Sequence, residues 1–214
     1  MPYSSNATLL VEVELDGIHL AAIYKPLQGE RPLWDFPNGL CFREVAAFEL
    51  SNSLGWELIP PTVLRHDAPY GLGSLQLFID ARFEEHYFSL MTNSQLFDQF
   101  IAFCAFDLIG NNTDRKSGHI LIDRQDHLWG IDHGLMFHEV PKLRTVIWEF
   151  GGAELSAHHL DDIARVSRNA QLIFGQLLSE TEIMAFQARS QYIISRKKLP
   201  RLDPEARPYP WPLV

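Results

Sequence analysis

The stretch Asn111-Asn112-Thr113-Asp114-Arg115-Lys116-Ser117-Gly118-His119-Ile120-Leu121-Ile122-Asp123 runs on, past Arg124-Gln125-Asp126, to Gly130-Ile131-Asp132-His133-Gly134-Leu135-Met136-Phe137. Asn, Thr and Gly compete with helix, so its first residues form a loop. His119–Asp123 and His127–Asp132 read as two strands turning at Arg124-Gln125-Asp126. A turn centred on Gln125 sets opposite one another residues whose numbers sum to 250. His119 then faces Ile131, and Asp132 lies beside Gly118 and His119. Asp114 stands at the mouth of the same hairpin. Two carboxylates 18 residues apart in sequence therefore share one wall of one cleft.

Working outward, Ser94 to Ile109 carries Phe97, Phe100, Ile101, Cys104 and Leu108 at helical spacing and predicts an amphipathic helix leading into the loop. Further upstream, Leu10–Leu15 and His19–Tyr24 alternate around Asp16-Gly17 and predict a hairpin. Lys25-Pro26 ends its second strand, and Gln28 to Leu40 is a loop rich in Gly and Pro. Phe42 to Leu54 reads as a helix, with Val45, Phe48 and Leu50 inside and Gly55 as its stop. Thr62–Arg65 and Ser74–Asp80 read as two more strands. Downstream, residues 155–198 read as helical, with Ser179 and Glu182 as a capping box. Pro200 to Val214 holds Pro204, Pro208, Pro210 and Pro212, which predicts an extended tail packed through Tyr209 and Trp211. Strands come first and helices follow, which is an α+β pattern with two lobes and not a run of βαβ units.

Phosphoryl transfer asks for a Lys near the phosphates, a helix carboxylate to fix it, one Asp to orient or deprotonate the acceptor hydroxyl and a second to hold Mg²⁺. The chain holds these types in that order: Lys25, Glu44 or Glu49, Asp114 and Asp132.

On these residues the chain resembles the phosphatidylinositol 3-/4-kinases, and among them the type II phosphatidylinositol 4-kinases. Asn112-Thr113-Asp114-Arg115 looks like their catalytic motif, and Ile131-Asp132-His133-Gly134-Leu135-Met136-Phe137 like their metal motif. Tyr24-Lys25-Pro26 resembles their nucleotide-lysine strand and Arg43-Glu44-Val45-Ala46-Ala47-Phe48 the helix after it. Gly73-Ser74-Leu75-Gln76-Leu77-Phe78-Ile79 resembles the strand leading to their hinge. The likeness extends from Ser4 to Phe150 and takes in uncharacterised bacterial relatives of those kinases; a fainter one reaches the bacterial toxin-type serine/threonine kinases. It implies a protein-kinase-like α+β fold over residues 1–199, with an N-lobe to residue 79, a C-lobe over 80–199 and a tail over 200–214. It implies ATP as cofactor, with Lys25 on its phosphates, Glu44 as the partner of Lys25, and Phe78, Ile79 and Asp80 on adenine. Asp114 would be the catalytic aspartate and Asp132 a metal ligand. Lys116, flanking Asp114, reads apart from the resemblance as a stabiliser of transferred phosphate.

The sequence departs from that family in three places. His119 stands where the family has an Asn metal ligand; it reads as a metal ligand that selects Mn²⁺ over Mg²⁺, as a cation for phosphate, or as the mark of a weak kinase. There is no glycine-rich phosphate loop, so Ser4-Ser5-Asn6-Ala7, with Ser5 foremost, would take that part. The sequence begins almost at that loop, leaving the strand on its far side without a counterpart. These departures motivate a nucleotide-binding pseudokinase without turnover; the histidines separately offer a metal-dependent hydrolase using His119, Asp132, His133 and His138.

Composition narrows the partners. Lys plus Arg is 18 and Asp plus Glu is 27, so the net charge of −9 argues against a nucleic-acid partner and against attraction to an anionic membrane. No apolar run approaches the roughly 20 residues that span a bilayer. Cys41 and Cys104 are too few for a disulfide framework and, in apolar stretches, predict buried thiols and a cytoplasmic setting. The acceptor, whether lipid, protein hydroxyl or small molecule, stays open. Lys142 and Arg144 read equally as a receiver for an acidic substrate and as a solvated pair. Arg115 reads as a brace of its loop, and Trp34, Phe36 and Pro37 as a contact between lobes.

Overall fold

The structure is a computed structural model and describes residues 7–203, Glu205 and residues 208–214. Ser4, Ser5 and Asn6 of the expected phosphate loop, and Pro204 of the tail, lie outside the described residues.

Strands β1 (Leu9–Leu15), β2 (Ile18–Pro26), β3 (Thr62–Ala68) and β4 (Gly71–Leu77) form one antiparallel sheet in the order β1-β2-β4-β3. Asp16 and Gly17 both take positive φ, at 52° and 77°, as the expected two-residue turn demands. Lys25 pairs with Ser74 and Pro26 with Gly73. A side chain at Gly73 would strike the Lys25 carbonyl and the Tyr24 ring, so only glycine lets β4 run this close to β2.

Helix α1 (Leu40–Leu54) begins two residues before its expected start. The Glu30 carboxylate explains the earlier start, because it accepts the N–H groups of Gly39 and Cys41 at 2.9 Å each. Gly55 ends the helix in a left-handed turn, as expected. Ala46, Ala47, Leu50 and Leu54 of α1 join one core with Phe100, Phe103, Phe106 and Ile109 of α3 (Phe97–Gly110). Phe186 and Ile193 of α6 (Glu180–Arg196) complete that core, whereas the buried sheet residues Ala22 and Tyr24 lie outside it. α1 thus packs against β3 and β4 of the sheet as well as joining the core of the C-terminal helices.

A single-turn helix α2 (Tyr87–Leu90) precedes α3, and Ser94–Leu96, expected as the start of α3, is instead a separate 3-10 turn capped by Asn93. β5 (Ile120–Ile122) and β6 (Leu128–Gly130) pair with Ile120 opposite Gly130, the expected register. Each is three residues long, shorter than expected. Asp123 closes the turn by accepting the N–H groups of Gln125 and His127. Past Gly130 one further bond, from Ile131 N–H to the His119 carbonyl, continues the pairing. The helical region splits into α4 (Ala157–Arg168), α5 (Ala170–Phe174) and α6, broken at Asn169 and after Phe174. Ser179 and Glu182 form the expected capping box of α6. The tail is held differently from expectation: Trp211 is 89% exposed. Backbone carbonyls anchor it instead, Pro208 accepting from Thr145 N–H and the Trp148 indole, and Leu213 from Ser117 N–H. Among the described residues no helix is long and apolar enough to cross a membrane.

Candidate active site

Lys25 stands near the end of β2 and sends its ammonium across to the C-terminal half of the molecule. Nζ donates to the Glu44 carboxylate on α1 and to Asp132 Oδ1 at 2.9 Å. Glu44 is 3% exposed, and its second oxygen accepts the His133 N–H at 3.0 Å. One carboxylate therefore ties the sheet lysine to the loop that carries Asp132. Glu49, the other candidate partner, is five residues further on and so roughly 140° round the helix. It lines a groove between α1, β3 and α5 on the other side. Gly134 follows His133 because a side chain there would press on Leu40 and Glu44. Burial opposes the charge on Lys25, but Asp132 and Glu44 outweigh it and raise its pKa. Lys25 in turn holds the Asp132 carboxyl well below the usual carboxylate range.

The loop after α3 is built by its own side chains. Asn111 ends the helix at φ 52°. Its amide donates to the carbonyls of His138 and Val140 and accepts the Lys142 N–H, all at 2.8 Å. Asn112 donates to Asp107 and accepts the Asp114 N–H at 3.0 Å. Thr113 bonds the Leu135 carbonyl through both N–H and Oγ1. These bonds sew the Asp114 loop to residues 135–142 and fix the direction of Asp114. Its side chain is 22% exposed, with Lys116 Nζ 3.1 Å from Oδ2. Burial pushes its pKa up to about 6, against the pull of Lys116.

His119 Nδ1 lies 2.9 Å from the Asp114 carbonyl, an acceptor that requires the N–H at that nitrogen. Burial lowers the pKa of His119 to about 4, so the ring is neutral at pH 7 and Nε2 offers a lone pair. That lone pair faces Asp132 Oδ2 at 3.5 Å. Asp132 is held at φ 61°, a left-handed conformation, and over half of its side chain is open to the cleft. Two lone pairs aimed at each other are satisfied by a cation, so the residues present fit a divalent metal with one imidazole and one carboxylate ligand.

The segment after β4 spans the two halves. Phe78 donates its N–H to the Ala21 carbonyl, and Arg82 donates to Ile122 across the gap. Phe78 N–H is therefore spent within the sheet.

Several groupings expected from the sequence do not form. His133 is fully buried, and its Nε2 accepts from the Arg115 guanidinium at 2.8 Å. His138 Nδ1 accepts the Val140 N–H, and its ring meets Phe36 edge-on at 4.9 Å. Both lone pairs are used, and among the described residues no three His, Cys, Asp or Glu side chains converge on a metal position. The hydrolase reading loses His133 and His138 from its ligand set. Lys142 is not offered to an acidic substrate either: Nζ binds Asp35 at 3.0 Å beneath the rings of Phe36 and Trp34. Phe36 is 8% exposed and packs edge-on against His138, while Trp34 is 95% exposed. Arg115 braces its loop as expected, but through a partner sequence reading passed over, the buried Asp107.

No family model matches the chain. Among solved structures, the Helicobacter pylori proinflammatory kinase CtkA is similar at TM-score 0.51 and 14% identity, over 92% of this chain and 90% of that one. Hydra Fam20, solved with sugar, is similar at TM-score 0.52 and 12% identity, over 90% and 81%. At these identities the likeness concerns the fold, and that fold is kinase-like. Protein Rv2133c of Mycobacterium tuberculosis is 34% identical over 248 residues, covering 98% of this chain and 88% of that protein. The chain belongs to the family of Rv2133c.

Proposed function

We propose that the protein is an ATP-dependent phosphotransferase of kinase type, acting on a hydroxyl acceptor. The observation that carries this reading is the ammonium of Lys25 held between Glu44 and Asp132, at the cleft where Asp114 and His119 also meet. ATP brings the transferable phosphoryl group, and a divalent cation brings the charge that holds its phosphates. Lys25 would exchange its bond with Asp132 for phosphate oxygens, while Glu44 keeps its hold on the ammonium. Asp132 and His119 would hold the cation. Asp114, mostly ionised at pH 7, orients the acceptor hydroxyl and takes its proton. Lys116, beside Asp114, offsets charge on the phosphate in transit. Ile79 and Asp80 border the base, and Ser5 precedes the described residues in the segment we assign to the phosphates. The likeness to phosphatidylinositol 3-/4-kinases supports the nucleotide half of this reading and leaves lipid, protein and small-molecule hydroxyls as acceptor classes. We divide the chain as a kinase-like domain over 1–199 and a tail over 200–214. Its free thiols, Cys41 and Cys104, suit the cytoplasm.

Calorimetric titration with ATP, first with Mg²⁺ and then with Mn²⁺, tests the proposal. Wild type is expected to bind, and Asp132→Asn to lose about 10- to 100-fold of the metal-dependent affinity. Absence of binding with both metals would sink the kinase reading. Transfer of the γ-phosphate to any acceptor or to water then separates a working enzyme from a nucleotide-binding protein without turnover.

His119 makes a second outcome measurable. Replacing imidazole by the oxygen of Asn favours the harder cation. His119→Asn is expected to raise ATP affinity in Mg²⁺ relative to Mn²⁺, read as the ratio of the two dissociation constants. An unchanged ratio would remove His119 from the metal site.

A further inference from the structure

Arg43 and Glu44 are neighbours on α1, so their side chains leave the helix about 100° apart. Glu44 enters the cleft, whereas Arg43 enters the helical core. Arg43 is 4% exposed and ion-paired with Glu182, in the first turn of α6. Glu182 is itself fixed, its other oxygen accepting the N–H and hydroxyl of Ser179 at 2.9 Å each. The far end of α1 is tied as well. Arg165 of α4 donates to the Ser53 carbonyl at 2.7 Å, and the Trp56 indole donates to Asp162 of α4 at 3.1 Å. A kinase-type Lys–Glu pair depends on where its helix sits. Here, any shift of α1 that withdrew Glu44 would first break a buried ion pair, which is a large cost.

We infer that Arg43 is a positioning residue: its ion pair with Glu182 holds α1, and through Glu44 the ammonium of Lys25, in the assembled arrangement without an outside signal. The part concerning phosphate rests on the kinase reading above; the part concerning the helix does not.

The experiment compares wild type, Arg43→Gln, Arg43→Lys and the double variant Arg43→Gln with Glu182→Gln. The double variant leaves no unpaired buried charge and guards against a single variant that does not fold. Amide hydrogen exchange is measured over 40–54 and over α3, and ATP affinity by calorimetry with Mn²⁺. Loss of the pair is expected to speed exchange in 40–54 while α3 keeps its protection, and to weaken ATP binding about 3- to 30-fold. Arg43→Lys is expected to restore part of both. Unchanged exchange in 40–54 overturns the inference. A fall in melting temperature with wild-type ATP affinity overturns it too, since Arg43 would then be structural only. If wild type binds no ATP, the kinase reading fails, and the exchange data alone decide whether Arg43 anchors α1.

Discussion

Asp114→Asn is expected to lower the rate of phosphoryl transfer by about 10²- to 10⁴-fold, the usual share of a positioned general base. The amide keeps the shape of the carboxylate and can still accept from Lys116, whose Nζ sits 3.1 Å from Oδ2. The loop has no reason to move, because Asn112 holds Asp114 through its backbone N–H and not its side chain. What disappears is the capacity to take a proton from an acceptor hydroxyl. ATP affinity in the presence of metal is expected to stay near wild type, because we assign the cation to Asp132 and His119. The check is a pair of numbers from one preparation: kcat falls while the ATP dissociation constant holds. Full turnover in the variant would remove Asp114 from the chemistry, and joint loss of turnover and binding would make it part of the nucleotide site instead.

The contrast between what the sequence reveals and what it hides is physical. Hairpin register was legible because Asp16-Gly17 and the strands about Gln125 are local and their pairing follows from counting. The capping box of α6 was legible for the same reason, being spaced by three residues. Glu44 and Glu49 stood undivided until the direction of α1 was known. That helix is buried nearly all round, with Arg43, Glu44, Val45, Ala46 and Ala47 covered in succession, so no single apolar stripe marks which side faces the cleft. That breadth is also why its membership of the C-terminal core escaped the pattern of alternating and helical segments. Lys142 gave no sign of its partner, because Asp35 is 107 residues away and meets it only through folding of the loop over Phe36. The tail misled through its aromatic residues. Tyr209 and Trp211 suggest anchors, yet Pro208 and Leu213 are held by carbonyls, which every sequence possesses.

Arg115→Met is expected to be among the most destabilising single changes in the protein. The side chain is fully buried, and its donors diverge. Nε and Nη2 bind Asp107 at 2.9 and 2.8 Å, Nη2 also reaches His133 Nε2 at 2.8 Å, and Nη1 reaches the His119 carbonyl at 3.3 Å. Phe103 lies 5.3 Å beneath the guanidinium. Methionine replaces the volume but none of the bonds, and Asp107 becomes a buried carboxylate supported, among the described residues, by Asn112 alone. Breaking one side of such a pair costs about 3–5 kcal/mol. For a chain of this size each kcal/mol lowers the melting temperature by roughly 2–4 °C, so scanning calorimetry should read a fall of about 6–20 °C. Arg115→Lys is expected to fall nearly as far, since one ammonium cannot serve Asp107, His133 and the His119 carbonyl together. Adding Asp107→Asn to Arg115→Met removes the stranded charge and is expected to regain part of the loss. A fall below about 2 °C for the single variant would mean that Asp107 finds water when Arg115 leaves, and that the loop bearing Asp114 is held by Asn111, Asn112 and Thr113 without it.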